Sequence, residues 1–179
     1  MAIHEILHMG HPVLRQVAEK VSPKEILDPS MKDLISNMAE TMKEKQGIGL
    51  AAPQIGVSKK IVVIKVPLDS ERYPDSEESP LFVLFNPVVT ILDEEIQGCW
   101  EGCLSVPNLK GYVERPQKIQ VDFLDQSAQE QRFIAEGFLA IVFQHELDHL
   151  DGIIYIDKLK DTRLLAYCDE YDRYFTEDE

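Results

Sequence analysis

The run Gln144-His145-Glu146-Leu147-Asp148-His149 constrains this chain more than any other segment. On an α-helix, residues four apart are separated by about 6 Å of rise and about 40° of rotation, so His145 and His149 share a face and can grip one cation. Glu146 lies about 100° round the helix from His145, where it can take a proton from water without being a ligand. Upstream, Phe138, Ile141 and Val142 recur with the two histidines at three- and four-residue steps. That pattern predicts one helix whose metal face continues an apolar face. On a solvated helix the same string would be two unpaired histidines. The apolar run argues against this, because buried imidazoles need a partner and a metal is the commonest one.

Two histidines and a water leave a tetrahedral catalytic site one protein ligand short. A third histidine at the spacing of the longer H-E-x-x-H-x-x-G-x-x-H pattern is absent, since Leu150-Asp151-Gly152-Ile153-Ile154 follows. Two candidates stay open. Glu170 has a separation from His149 like that in thermolysin-like enzymes, and Cys103 stands in Glu101-Gly102-Cys103-Leu104-Ser105-Val106-Pro107. That segment lacks helical periodicity, which suits a ligand presented from a strand end or turn. Three cysteines, an odd number, do not suggest a disulfide framework. Cys99 and Cys103 could begin a structural zinc site, but two further ligands are not evident nearby. Cys99 reads as a packed or partly exposed thiol, and Cys168 as core on the last helix.

Composition bounds the answer without identifying it. The chain has 179 residues, 44% hydrophobic and 28% charged, which predicts one domain over 1–179 able to bury about 70% of its unfolded surface. A net charge of −14 argues against a nucleic-acid-binding surface, which needs a basic stripe to neutralise phosphates. Acid concentrates in residues 67–80, read as a solvated loop between strands, and in a tail over about 169–179. No apolar run approaches the roughly 20 residues of a membrane span. Met1-Ala2-Ile3-His4-Glu5 has neither the basic start nor the apolar core of a signal peptide, so a cytoplasmic and bacterial setting is expected.

The predicted elements are mixed. Ser30 is the expected cap of a helix with Leu34, Ile35, Met38 and Met42 inward, ended by Gly47. Residues 60–66 and 81–92 read as strands, with Asn86-Pro87 marking an edge or bulge. Residues 111–124 and 131–135 form an expected hairpin across a polar turn. A last helix over about 161–175 is expected on Leu164, Leu165, Cys168, Tyr171 and Phe175. Strands cluster before the metal helix instead of alternating with helices, which favours α+β, with antiparallel or mixed sheets around the central metal helix and a C-terminal helix. Gly47 and Gly49 flank Ile48 where the backbone can take unusual dihedrals and another chain can come close; a plain helix stop with tight packing is the alternative.

The chain resembles the peptide deformylases. Three segments carry the resemblance, in order: Gly47-Ile48-Gly49-Leu50-Ala51-Ala52-Pro53-Gln54, Glu101-Gly102-Cys103-Leu104-Ser105 and Gln144-His145-Glu146-Leu147-Asp148-His149. The likeness starts at Leu7-His8 and His11-Pro12-Val13-Leu14-Arg15 and runs to about Leu159; only the acidic tail departs from it. It implies that Cys103, His145 and His149 bind one divalent metal ion, ferrous iron in the cell, which zinc, nickel or cobalt can replace. It implies that Glu146 shuttles a proton, and that the Gln54 amide and the Leu104 N–H stabilise the oxyanion. It implies that the backbone at Ile48 and Gly49 pairs with the substrate as an added strand; Phe138, Ile141 and Val142, which precede His145 on its helix, are then expected with Ile48 to receive the methionine side chain, with core packing as their other role. The implied reaction removes the formyl group from N-formylmethionyl nascent peptides, in transient proximity to the ribosome, releasing formate. Arg115 matches a position that the family keeps basic and reads as structural, paired with a carboxylate, while Asp148 is either an orienting acceptor or a plain salt-bridge partner. The rivals are a small metalloprotease with Glu170 as third ligand and a non-catalytic module with a structural metal.

Overall fold

The computed structural model describes residues 2–66 and 79–175. The expected acidic loop, apart from its last two residues, and the end of the acidic tail lie outside the described residues. Helices α1 (Pro23–Ile26), α2 (Pro29–Glu44), α3 (Gly137–Leu150) and α4 (Cys168–Tyr174) accompany strands β1 (Gly49–Ala51), β2 (Ile61–Ile64), β3 (Phe82–Cys103), β4 (Val106–Leu124), β5 (Glu130–Glu136) and β6 (Leu165–Tyr167). The strands form one antiparallel sheet in the order β1-β2-β3-β4-β5, with β6 added to β4. The α+β expectation holds.

Strands β1 and β2 read as unbroken apolar runs because both faces of the sheet are covered. Leu50, Ile61, Val63, Val83 and Phe85 point into one core with Ile35, Met38 and Met42 of α2. Their chain neighbours Ala51, Val62, Ile64 and Leu84 point into a second core with Ala140, Val142, Phe143, Leu147 and Leu150 of α3. The period-two alternation of a strand sorts adjacent residues between the two. Helix α3 is therefore packed at the centre, which explains its nearly continuous apolar sequence. Truncating the fully buried Met38 to alanine should cost about 2–5 kcal/mol.

The ends of α2 differ from the expectation. Asp28 is the cap: its carboxylate accepts from the Ser30 N–H at 2.9 Å, and the Ser30 hydroxyl donates to it at 2.6 Å. A carboxylate one residue before Pro29 reaches the first free N–H groups, whereas Ser30 already lies inside the helix. At the other end Gln46, at φ 56°, takes the left-handed position expected of Gly47. Gln46 N–H donates to Lys43 and Gly47 N–H to Met42, the paired bonds that close a helix C-terminus. At Gly47 the Leu104 side chain comes close, since a Cβ there would lie 2.9 Å from its terminal methyl group.

The Asn86-Pro87 signal is a bulge. Register shifts between Phe85 and Val88, Asn86 has φ 50°, and its side-chain amide exchanges hydrogen bonds with the backbone of Val21. The hairpin turn is built on Asp125, whose carboxylate accepts from Ser127 and Gln129 N–H groups. The last helix is corrected. Residues 162–164 form a short 3-10 turn, Leu165–Tyr167 is strand β6, and α4 starts only at Cys168. β4 leaves an open edge at Leu109, Lys110 and Gly111, and pairing there overrides the helical spacing of the apolar residues. Cys168 is half-buried and not core.

Candidate active site

Helix α3 leaves β5 with no loop, because Gly137 at φ 55° lets the chain turn directly from strand to helix. This sets His145, Glu146 and His149 under the sheet, opposite the end of β3. Cys103 is the last residue of β3, as its aperiodic surroundings suggested. One ligand atom each of Cys103, His145 and His149 lies within 4.8 Å of the others. The Cys103 Sγ is 3.3 Å from His149 Nε2. Burial would push the Cys103 thiol up, but His149 and His145 draw it well below the ordinary thiol range. A thiolate and two imidazoles at this spacing fit a soft or borderline divalent ion. Glu170 is not part of the cluster: it lies on α4, accepting from Arg173 at 3.2 Å.

A buried charged web orients these groups. His145 Nδ1 lies 2.7 Å from Glu101 Oε2, which turns Nε2 toward the cluster. Glu101 also accepts from Arg115 Nε at 2.5 Å and from Nη2 at 3.0 Å, and Arg115 Nη1 donates to Asp148 at 2.8 Å. Glu101 and Arg115 are only 5% and 4% exposed. Burial would raise the Glu101 carboxyl, yet the bonds from His145 and Arg115 outweigh it and hold it at about 2. Arg115 is thus structural and carboxylate-paired as expected, and Asp148 is its second partner, with Lys158 3.4 Å from the other oxygen. Glu101 went unrecognised in the sequence although it stands in the second motif. Its signal was the strand alternation that puts it two residues from Cys103 on the same face.

Glu146 Oε2 and His149 Nδ1 are buried without a hydrogen-bond partner. Burial pushes the Glu146 carboxyl up to about 6 against the pull of His145 and His149. The Glu146 side chain rests on Gly49, where a Cβ would lie 2.3 Å from Oε1, so the first motif needs glycine there for close approach. Gln54 Oε1 accepts from the Ala51 N–H at 2.8 Å, and Nε2 points to Cys103 Sγ at 3.6 Å and Ser105 Oγ at 3.2 Å. The amide donor is therefore aimed at the cluster. The Ser105 N–H lies 3.4 Å from the same sulfur.

A cleft of about 590 Å³ opens beside the cluster, lined by Ile48, Gly49, Gln54, Leu104, Phe138, Ile141, Val142 and Glu146. Of the metal-binding, catalytic and substrate-binding residues that the resemblance implies, all border this cleft except His149, which lies behind it against Cys103. Cys99, Trp100, Glu101 and Gly102 line it too. Cys99 is half-buried, and burial pushes its thiol up to about 12. Two strand edges face the cleft. The Ile48 carbonyl accepts from Lys65 on the β2 side and the Ala51 N–H turns away to Gln54. By alternation the Gly49 N–H and C=O also face away from β2. Among the described residues, β3 pairs with β2 only over 82–85, so its edge at 98–102 is open on that side.

The family model described as polypeptide deformylase matches residues 3–164. A peptide deformylase of Leptospira biflexa is 50% identical over 172 residues, covering 96% of each chain. One from Fusobacterium nucleatum is 43% identical over 88% of this chain and 84% of its own. Among solved structures, a class I type b peptide deformylase from Acinetobacter baumannii with bound Met-Ala-Ser superposes with a TM-score of 0.85 at 33% identity, over 88% of this chain and 99% of that one. A peptide deformylase from Synechococcus elongatus in complex with actinonin gives a TM-score of 0.80 at 35% identity, over 95% and 85%.

Proposed function

The chain belongs to the polypeptide deformylase family, hydrolases that remove the N-formyl group from newly synthesised polypeptides, and we propose that Cys103, His145 and His149 hold its single metal ion while Glu146 carries the proton. The observation that carries this reading is the buried Cys103-His145-His149 cluster beside a Glu146 carboxylate with one unpartnered oxygen. When bound, the ion supplies Lewis acidity, lowering the pKa of water and polarising a carbonyl oxygen. The donor set suits ferrous iron, with zinc, nickel or cobalt as substitutes.

The chain's own groups account for the rest. Glu146 accepts the proton of the water that attacks the formyl carbon, then returns it to the leaving amine as the C–N bond breaks, so formate and a free amino terminus result. The Gln54 amide and the Leu104 N–H donate to the formyl oxygen as negative charge develops, where one such donor is worth about 10² to 10³ in rate. The outward N–H and C=O of Gly49, next to Ile48, pair with the peptide backbone, which reads a peptide without demanding its sequence. Ile48, Phe138, Ile141 and Val142 form the apolar wall for the methionine side chain. No helix among the described residues is long and apolar enough to cross a membrane. A cytoplasmic site of action close to the ribosome follows from the substrate.

The test is formate release from an N-formylmethionyl tripeptide by metal-loaded and chelator-treated protein, alongside an endopeptidase assay on an unformylated peptide. Formate release that depends on metal, without internal cleavage, is the expected result. Internal cleavage without formate would overturn the proposal in favour of a protease.

A further inference from the structure

The family assignment leaves one feature of the cleft unused: Trp100, whose ring is held from outside by the C-terminal helix. Trp100 lines the cleft and is partly buried. Its ring centroid lies 4.9 Å from Tyr171, 4.9 Å from Phe175 and 5.9 Å from Tyr112. Tyr171 and Phe175 stack on each other at 6.0 Å, and Lys110 Nζ sits 3.7 Å from the Tyr171 ring centre and 3.4 Å from Asp172. Gly98 makes room for this group, since a Cβ there would lie 2.2 Å from the Tyr112 ring. A short helix is thereby fastened to the outer face of β3 at the point where that strand borders the cleft.

Strand geometry says which part of a substrate would meet this ring. Trp100 is three residues from Cys103, about 10 Å along β3. A peptide whose formyl group sits at the Cys103 cluster and whose backbone runs along the open edge at 98–102 brings its first residues past Trp100. Side chains alternate between faces in an extended peptide. The methionine side chain turns toward α3, so the next side chain turns to the other face, where Trp100 lies opposite Glu101 and Cys103. We infer that Trp100, positioned by Tyr171 of α4 and by Phe175 just past its end, is a specificity-determining residue that contacts the second residue of the formyl peptide and favours a large apolar side chain there. This rests on the deformylase reading and adds a subsite to it.

Trp100 is the only tryptophan in the chain, so its fluorescence reports on this site directly. In the metal-loaded enzyme, the product peptide Met-Phe-Ser should change the emission, while methionine amide at equally inhibitory concentration should change it much less. Specificity is read as the ratio of kcat/KM for formyl-Met-Phe-Ser to that for formyl-Met-Gly-Ser. Trp100→Ala should lower the ratio about three- to ten-fold, mainly through KM, the size of one aromatic contact. Trp100→Phe should restore part of it. Phe175→Ala, at a position 41% exposed and so tolerant of truncation, should shift the ratio in the same direction. An unchanged ratio in these variants, or equal emission responses to the two ligands, overturns the inference. If the unmodified enzyme releases no formate from either peptide, the deformylase reading itself fails, a result distinct from an active enzyme whose ratio ignores Trp100.

Discussion

Removing the Glu101 carboxylate tests the web that links stability to metal binding. In Glu101→Ala, Arg115 loses two hydrogen bonds, at 2.5 and 3.0 Å, and keeps only Asp148 at 2.8 Å, while His145 Nδ1 loses its acceptor. Stranding one member of a buried ion pair costs about 3–5 kcal/mol. The surviving Asp148 contact puts the estimate at the lower end, about 3 kcal/mol, a large part of the roughly 5–15 kcal/mol that holds a domain together. Loss of the group that orients a ligating imidazole should also weaken metal binding by about 10- to 100-fold. Glu101→Gln separates the two effects. Its amide keeps the volume and can still accept from Arg115, so stability should fall by only about 1–2 kcal/mol. The lost negative charge should still weaken the metal site. Urea unfolding of the metal-free proteins measures the first quantity, and competition against a chelator measures the second. The reasoning is refuted if Glu101→Gln binds metal as tightly as the parent, or if Glu101→Ala unfolds at the same urea concentration.

Glu146→Gln should retain the metal by elemental analysis yet lose at least about 10²-fold in turnover, because an amide cannot accept the proton; loss of metal would instead make Glu146 a ligand. Cys103→Ala should lose most of its metal and all its activity, whereas Glu170→Ala, whose carboxylate accepts from Arg173 at the surface, should keep both; the opposite pattern would restore the protease alternative. Gly49→Ala drives a methyl group into Glu146, and since a misplacement of about 1 Å can cost roughly 10² in rate, kcat should drop on that scale with metal content unchanged. Hydrogen bonds from the Ser22 side chain and backbone, and then from Lys59, hold the Glu25 carboxyl at about 2, below its ordinary 4.5. A depressed carboxyl contributes stability that is present above 4.5 and lost as pH falls through 2. The melting temperatures of the parent and Glu25→Gln should therefore differ above pH 4.5 and converge toward pH 2; a constant difference would contradict the assignment.

The sequence by itself determined the parts whose logic is local. Two histidines four apart share a helix face with a carboxylate beside them whatever surrounds them, because helix geometry alone sets their relation, and the apolar run before them pointed to burial. A short run of β-branched residues likewise marked β2, alternation and turn residues marked the hairpin over Asp125, and Asn86-Pro87 marked the bulge. Other outcomes depended on which surfaces met in space. Leu165–Tyr167 became a strand because β4 offered an open edge, an option that spacing along the chain cannot reveal. Gln46, not Gly47, took the left-handed position that closes α2, a choice that composition did not mark. Residue chemistry alone left both Cys103 and Glu170 open, the family resemblance favoured Cys103, and the fold brings the end of β3 to α3 while it leaves Glu170 at the surface. Glu101 and Trp100 fall in the same class: their roles rest on partners 44 residues away at His145 and about 70 away on α4, distances that chain folding alone closes.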